Sequence, residues 1–153
     1  MISLHGMECD SDKKELKDYR KLAFLIDFVS DQYLNAVIFH ALREGSGLSG
    51  NDKTILESAY TKGRDRLPFV NRLIHTLEKN KLIKVDQNNE SKEMNIYLTS
   101  TDTSNKFFNS DLFTTERNNV EKLILAMPKL RTLSFSKLLE KLFRDNGVTT
   151  WLD

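Results

Sequence analysis

The side chains of this sequence that are best suited to recognising another molecule lie between positions 64 and 75. An arginine guanidinium can donate two hydrogen bonds to the edge of a guanine, and an asparagine amide can exchange two with an adenine. The segment contains three arginines, one asparagine and one histidine, and we expect these side chains on the polar surface of one helix. The candidates for contacts with bases in the major groove of DNA are Arg64, Arg66, Asn71, Arg72 and His75.

Positive charge is concentrated in the same part of the chain. The whole sequence has a formal net charge of +1. Residues 1–60 carry seven basic and ten acidic side chains, residues 61–92 carry eight and four, and residues 93–153 carry eight of each. A local basic excess is expected of a surface that binds phosphates. The candidates for phosphate contacts are Lys79, Lys84 and Lys92.

Other kinds of chemistry are less well supported. The sequence has no glycine-rich phosphate loop, no HExxH or GxSxG motif and no clustered acid–base pair, so we expect no enzyme activity. Cys9 could be a redox sensor, but the carboxylates of Glu8 and Asp10 would raise the pKa of its thiol. His5 and Cys9 could share a zinc ion on a helix, but no second pair of ligands accompanies them. We expect no metal and no cofactor, and interpret Cys9 as an incidental residue of a loose arm.

The first third of the chain has the periodic apolar spacing of helices. Apolar residues recur at intervals of three and four within residues 11–31, which predicts a long first helix capped by Ser11 or Asp12. A second helix, YLNAVIFHALRE, is predicted to end at Gly45. A third and shorter helix, DKTILESAY, is predicted to be capped by a residue in the range 49–51.

The segment RLPFVNRLIHTLEKNKLIKV predicts an amphipathic helix over residues 66–81, preceded by a turn at residues 62–65. Pro68 suits the first turn of such a helix, because its missing N–H would be unpaired there in any case. The apolar face of the helix is predicted to contain Val70, Leu73, Ile74 and Leu77.

A hairpin is predicted directly after this helix. Residues 81–85 and 94–98 alternate as short strands do, and residues 86–92 (DQNNESK) form a polar turn between them. Two helical stretches follow, one over about 103–127 with an interruption near Ser110, and one over SFSKLLEKLFRD. They are separated at Pro128, and Asn146-Gly147 is a suitable end for the second.

This order of elements predicts a mainly α fold with a small β-hairpin wing, which is a winged helix-turn-helix with dimerisation helices at both ends. The apolar content of the C-terminal third exceeds what a small winged domain can cover, so we expect a homodimer. The predicted organisation is one domain over residues 1–153, with dimerisation helices at 11–31 and 103–146, a winged helix-turn-helix at 32–99, a recognition helix at about 66–81 and a wing at about 82–98.

Several segments resemble one family. LIHTLEKNKLIKV is similar to the segment LvdrLekkGLIeR of the MarR-type transcription regulators, including their SarA-like branch. NIYLTSTDTSNKF resembles that family's second wing strand and next helix, and SFSKLLEKLFRDN resembles its last helix. Two departures stand out: Lys81 replaces the usual glycine after the recognition helix, and Lys92 is the only basic candidate where the family's wing carries an arginine.

The resemblance implies a transcription regulator, expected to be a repressor, that binds double-stranded DNA as a homodimer on a pseudo-palindromic site. It also implies a pocket for a small-molecule effector, although the aromatic residues that could line it are equally suited to a plain core: Phe24, Phe28, Tyr33 and Phe39. One alternative is a plasmid or phage winged-helix protein that binds DNA for partition or replication. Another is a winged helix used only for protein contacts.

Two further observations concern the compartment. The chain has a single cysteine, so it cannot form an intramolecular disulfide, which favours a reducing compartment. It contains no run of about 18 apolar residues and no signal-peptide pattern. We expect a soluble, cytoplasmic protein that does not enter a membrane.

Overall fold

The computed structural model describes residues 1–45, 47–87, 93–99 and 102–151. Its regular elements, in chain order, are the helices α1 (Ile2–Gly6), α2 (Lys21–Ser30), α3 (Gln32–Glu44) and α4 (Gly50–Lys79), the strands β1 (Ile83–Gln87) and β2 (Met94–Leu98), and the helices α5 (Asp102–Phe108), α6 (Thr114–Ala126) and α7 (Phe135–Leu142). The expectation of a mainly helical fold with a small antiparallel hairpin is confirmed. None of the helices in the described part is by itself long and apolar enough to cross a membrane.

The predicted long first helix is wrong over residues 11–20, which are not helical. Asp18 has a positive φ of 60°, a conformation that a helix does not contain. Its carboxylate accepts hydrogen bonds from the backbone N–H and the guanidinium of Arg20, which hold this conformation. The helix therefore begins only at Lys21, and neither Ser11 nor Asp12 caps it.

The segment before α2 instead extends the hairpin. Leu16 exchanges backbone hydrogen bonds with Ile96 of β2, at N···O distances of 2.8 and 3.1 Å. The Tyr19 N–H donates to the Met94 carbonyl at 2.9 Å. This segment thus covers the edge of β2 that faces away from β1.

The break between α2 and α3 lies at Asp31, where the two helix axes bend by 109°. The Asp31 carboxylate accepts hydrogen bonds from the backbone N–H groups of Tyr33 and Leu34, as an N-cap residue does. At the other end, Gly45 takes a left-handed conformation (φ 62°), so α3 ends where the sequence predicts.

Helix α4 is the main correction to the sequence-based expectation. The predicted short helix, the turn at residues 62–65 and the recognition helix at 66–81 form one continuous helix of 30 residues. Ser49 caps it, as predicted, by accepting from the Asp52 N–H at 3.1 Å. Gly63 lies inside this helix, and its missing side chain leaves room for Phe24 of α2. A Cβ at this position would lie 2.5 Å from the Phe24 ring. Pro68 is exposed, so water can reach the carbonyl that its ring leaves without a donor.

The hairpin is confirmed, and β2 occupies the residues predicted for the return strand. Strands β1 and β2 are antiparallel, and Ile83 lies opposite Leu98. Lys81 has a φ of 59°, which explains why glycine is a suitable residue for this turn. Residues 88–92, which include Lys92 and most of the predicted polar turn, lie outside the described residues.

The C-terminal third agrees with the predicted interruption and ends. A short 3₁₀ turn, Asp111–Phe113, separates α5 from α6, and Gly147 (φ 78°) follows the last turn of the chain's helical region. Phe143 packs against Phe24, Phe28 and Tyr60, with ring centroids 5.3–6.0 Å apart. Most of the apolar residues of α6 and α7 therefore belong to the core of the same chain, with Leu125 as the exposed exception. The argument that they need a second copy to cover them is wrong.

Lys21 connects α2 to the turn between α6 and α7. Its ammonium group is fully buried and donates to three backbone carbonyls, those of Leu130, Arg131 and Leu133, at 2.8–3.0 Å. Burial lowers the pKa of Lys21 to about 7, and the nearby carboxylate of Asp18 acts in the opposite direction. These hydrogen bonds satisfy carbonyls that the turn leaves without helical partners.

Candidate nucleic-acid interface

One face of α4 forms an exposed stripe of mostly basic residues. Side chains three or four positions apart are neighbours on a helix surface. This spacing brings together Arg64, Pro68, Arg72, His75 and Lys79, which we call the α4 stripe. The buried side of the same helix carries Leu56, Ala59, Tyr60, Gly63, Val70 and Ile74. The helix is thus held by one side and presents the other to solvent.

Arg72, His75 and Lys79 are the predicted base and phosphate contacts on the second half of the stripe. All three side chains are exposed. Within the described part of the chain, none of them makes a side-chain hydrogen bond or an ion pair. A ligand that binds these side chains would not have to break an existing interaction.

Arg64, at the beginning of the stripe, has a weak partner. Its guanidinium lies 3.3 Å from the neighbouring carboxylate of Asp65, and the two side chains are 39% and 65% exposed. Exposed pairs of this kind contribute little to stability. Arg64 can therefore exchange Asp65 for a phosphate or a base at small cost.

Arg66 lies outside the stripe and takes part in an ion pair with another helix. Its guanidinium donates to the Asp27 carboxylate of α2 at 2.7 Å, with 30% and 15% of the two side chains exposed. One nitrogen of Arg66 and one oxygen of Asp27 are buried without a hydrogen-bond partner among the described residues. This ion pair ties α4 to α2 and engages the guanidinium that was predicted to contact bases.

Asn71 is also engaged. Its amide oxygen accepts a hydrogen bond from the Tyr19 hydroxyl at 2.9 Å, and the residue is half-buried at the margin of the stripe. Burial raises the pKa of Tyr19, which keeps its hydroxyl protonated as the donor. This bond fixes the orientation of the Asn71 amide, so a contact with adenine through both groups would have to be made in that orientation or after the Tyr19 bond is broken.

The hairpin follows α4 without a flexible connection. The N–H of Leu82 donates to the Leu77 carbonyl, and the N–H of Thr99 donates to the Leu82 carbonyl, both at 3.0 Å. These bonds fix the first strand to the end of the helix. Lys84 is exposed on β1, opposite Tyr97 in the register. Lys79 and Lys84 therefore lie on either side of a rigid connection.

Sequence reasoning missed one component of this surface. Phe69 and Leu73 are 58% and 40% exposed, although Leu73 was expected on the buried face. They are four residues apart, and Phe69 lies three positions before Arg72, so it is a neighbour of Arg72 on the helix surface. The sequence did contain a signal for this exposure, because Phe69 is out of phase with the buried positions of the helix.

The remaining predictions concern Cys9 and the aromatic residues. Cys9 is fully buried in the core and not in a loose arm, and burial raises the pKa of its thiol to about 12. The described residues contain no group of three or more potential metal ligands among His, Cys, Asp and Glu. Phe24 and Phe28 are core residues, whereas Tyr33 is exposed and donates to the Asp52 carboxylate at 2.7 Å. Phe39 is half-buried.

Comparisons of this chain with protein families, with curated proteins and with solved structures find no match. The resemblance to MarR-type regulators therefore stays a prediction from the quoted motifs.

Proposed function

We propose that this chain is a sequence-specific double-stranded DNA-binding regulator of transcription, acting as a homodimer and expected to repress. The observation that carries the proposal is the α4 stripe, which is exposed, mostly basic and joined rigidly to an antiparallel hairpin. A helix fits the major groove of B-DNA, and the charged residues around it can bind the flanking phosphates.

The continuous α4 changes how the helix-turn-helix is assigned. The preceding helix would be α3, the turn would include Gly45 and Ser49, and α4 would be the recognition helix. In such motifs the N-terminal residues of the recognition helix contact bases. Here the stripe instead begins at Arg64, midway along α4, and runs towards the hairpin. The first half of α4 would serve as a support that packs on α2 and α3.

Within this assignment the residues have separate roles. Arg72 and His75 would contact base edges, with Arg64 as a further contact. Lys79 and Lys84 would bind phosphates, because they flank the connection to the hairpin. Binding energy from phosphates would be independent of sequence, whereas Arg72 would supply discrimination between bases.

The experiment that tests the proposal is selection of duplexes from a random pool by the full chain. The expected result is enrichment of one sequence motif, repeated with opposite polarity if the protein binds as a dimer. The enriched duplex is then titrated at several salt concentrations. The logarithm of the binding constant should fall linearly with the logarithm of the salt concentration, with a slope of about 0.9 for each phosphate contacted. Failure to enrich any motif and to bind duplex at low salt would overturn the proposal.

A second candidate function is a winged helix that binds another protein. The exposed Phe69 and Leu73, together with the net charge of +1, favour this alternative. Such a protein would bind no duplex in the titration described above. The same experiment therefore decides between the two candidates.

A further inference from the structure

We infer that Phe69 contacts the 5-methyl group of a thymine, so that α4 reads a thymine close to the guanine that Arg72 reads. This inference rests on the proposed function and adds a specificity determinant to it. In the major groove each base pair presents its own pattern, and thymine is distinguished by a methyl group that apolar side chains, including phenylalanine, can contact.

The position of Phe69 on α4 is the first observation behind this inference. Phe69 precedes Arg72 by three residues, so the two side chains are neighbours on the exposed surface, with Cβ atoms about 5–6 Å apart. The ring is 58% exposed, although α4 has a well-formed buried face on the opposite side. A large exposed apolar group beside a helix's basic residues is costly to leave in water and suits an apolar ligand group.

Thr76 supplies the second observation. It follows Arg72 by four residues and lies on the other side of it along the helix. Its hydroxyl donates to the Arg72 carbonyl at 3.0 Å, so its own polar group is already satisfied by the backbone. What Thr76 offers to a ligand is mainly its methyl group. Arg72 thus stands between two apolar contacts on the same exposed surface.

The spacing also limits where the thymine lies. Three residues advance about 4.5 Å along an α-helix, which is slightly more than the 3.4 Å rise per base along one DNA strand. If Arg72 contacts a guanine, the thymine methyl that meets Phe69 belongs to the adjacent base pair or to the next one. The motif should therefore contain a guanine and a thymine within two base-pair steps in each half-site.

The test uses the duplex enriched from the random pool, synthesised once with thymine and once with deoxyuridine at each thymine position in turn. Uracil pairs as thymine does and lacks only the methyl group. At one thymine of each half-site, within two steps of a guanine, uracil should weaken binding by the full chain about fourfold, the value of one buried methyl group. Substitution at the other thymines should leave the affinity unchanged.

The matched variants are Phe69→Ala and Arg72→Ala. Phe69→Ala should bind the thymine and uracil duplexes equally, because the side chain that senses the methyl group is absent. Arg72→Ala should bind both more weakly and keep the fourfold ratio. Thermal unfolding of each variant checks that the fold is intact, as expected for exposed side chains.

Two outcomes would overturn the inference. One is equal binding of thymine and uracil duplexes by the unaltered chain, which leaves sequence-specific DNA binding in place but removes Phe69 from base readout. If Phe69→Ala then weakens binding or changes sedimentation, the ring belongs to a protein contact. The other is a fourfold ratio that Phe69→Ala retains, which assigns the methyl contact to a different residue. Failure of the proposed function is a separate result, since no motif would then be enriched.

Discussion

The Arg66 guanidinium and the Asp27 carboxylate lie 2.7 Å apart and join the middle of α4 to α2. Both side chains are largely buried, so loss of one leaves the other without its partner in a poorly solvated position. We expect Arg66→Ala to lower the free energy of unfolding by about 2 kcal/mol, between the values for exposed and fully buried pairs. Urea denaturation followed by circular dichroism measures this change.

Arg64→Ala is the matched control for that prediction, because Arg64 is on the same helix and pairs with the exposed Asp65. Arg64→Ala should change the free energy of unfolding of the chain by no more than about 0.5 kcal/mol. Equal stability losses in the two variants would contradict the role assigned to Arg66. In DNA binding the order should reverse, since Arg64 lies on the stripe and Arg66 does not.

The contact between Gly63 and Phe24 leads to a second prediction. A Cβ at position 63 would lie within 3.0 Å of three atoms of the Phe24 ring, which is itself fully buried among other aromatic rings. Gly63→Ala should therefore destabilise the protein by about 1–3 kcal/mol in spite of alanine's better helix propensity. Gly50→Ala, at the first position of α4 with no atom within 4 Å of the added Cβ, should be close to neutral. A lower melting temperature for Gly50→Ala than for Gly63→Ala would refute this account.

Gly63 also shows why the middle of the fold was harder to predict than its ends. The segment Lys-Gly-Arg-Asp has the composition of a turn, but the glycine is present to let two helices approach closely. Nothing local distinguishes these cases, because the deciding atom belongs to Phe24, 39 residues away in sequence. In contrast, Gly45 and Gly147 have left-handed φ values and end helices as predicted.

Asp18 gives the same lesson for the first helix. The apolar residues within 11–31 do recur at intervals of three and four, but Asp18 has a positive φ. In addition, Leu16 pairs with Ile96, which is distant in sequence. The exposure of Arg72, His75 and Lys79 on one face of α4 agrees with the predicted polar surface of this helix, and their contacts with DNA stay a prediction. The interactions of Arg66 with Asp27 and of Asn71 with Tyr19 could not be predicted, because these partners are distant in sequence.

Lys21 predicts a pH dependence of stability. Its pKa in the folded chain is lowered from 10.5 to about 7 by burial. Between those values the unfolded chain holds more protons than the folded chain, so the contribution of Lys21 to stability rises with pH through this window and is complete above the unfolded value. Compared with Lys21→Met, the unaltered chain should gain up to about 1 kcal/mol per pH unit from pH 7.5 to 8.5.

Cys9 contributes in the opposite direction at higher pH. Burial raises the pKa of its thiol from 9.0 to about 12, so stability is lost as the pH rises above 9. Comparison with Cys9→Ala separates this contribution.

The Lys21 prediction also has a direct test for the case in which Lys21→Met does not fold. The pKa of Lys21 in the intact chain can be measured by following its Nζ resonance by NMR. Titration of that group near 10.5 would contradict the prediction.

The proposed homodimer predicts a specific effect of the exposed residues at the 3₁₀ turn after α5. Leu112 is 79% exposed, and Phe107, 55% exposed, has its ring 5.1 Å from that of Phe113. Most apolar residues of α6 and α7 are used inside the chain, and Leu125 of α6 is 59% exposed. Among the described residues of the predicted dimerisation region, Leu112, Phe107 and Leu125 are the large apolar side chains most open to a second copy. Leu112→Asp should sediment as a monomer at micromolar concentration. The monomer should remain folded and show a cooperative melting transition. A monomeric unaltered chain would exclude the dimer.

The last prediction separates base reading from phosphate binding on the α4 stripe. Arg72 lies midway between Pro68 and His75 on the exposed face, without a partner among the described residues, whereas Lys84 is on the strand beyond the connection. Arg72→Ala should cost about 1–3 kcal/mol per half-site on the enriched duplex and relax the preference at one base pair. Lys84→Ala should weaken binding to all duplexes alike and reduce the salt slope by about 0.9. Lys129→Ala, an exposed lysine in the turn between α6 and α7, serves as the control and should change neither quantity. If Arg72→Ala leaves both the base preference and the affinity unchanged, the stripe does not lie in the groove. An exposed arginine at the centre of a groove-binding surface would have to contribute to binding.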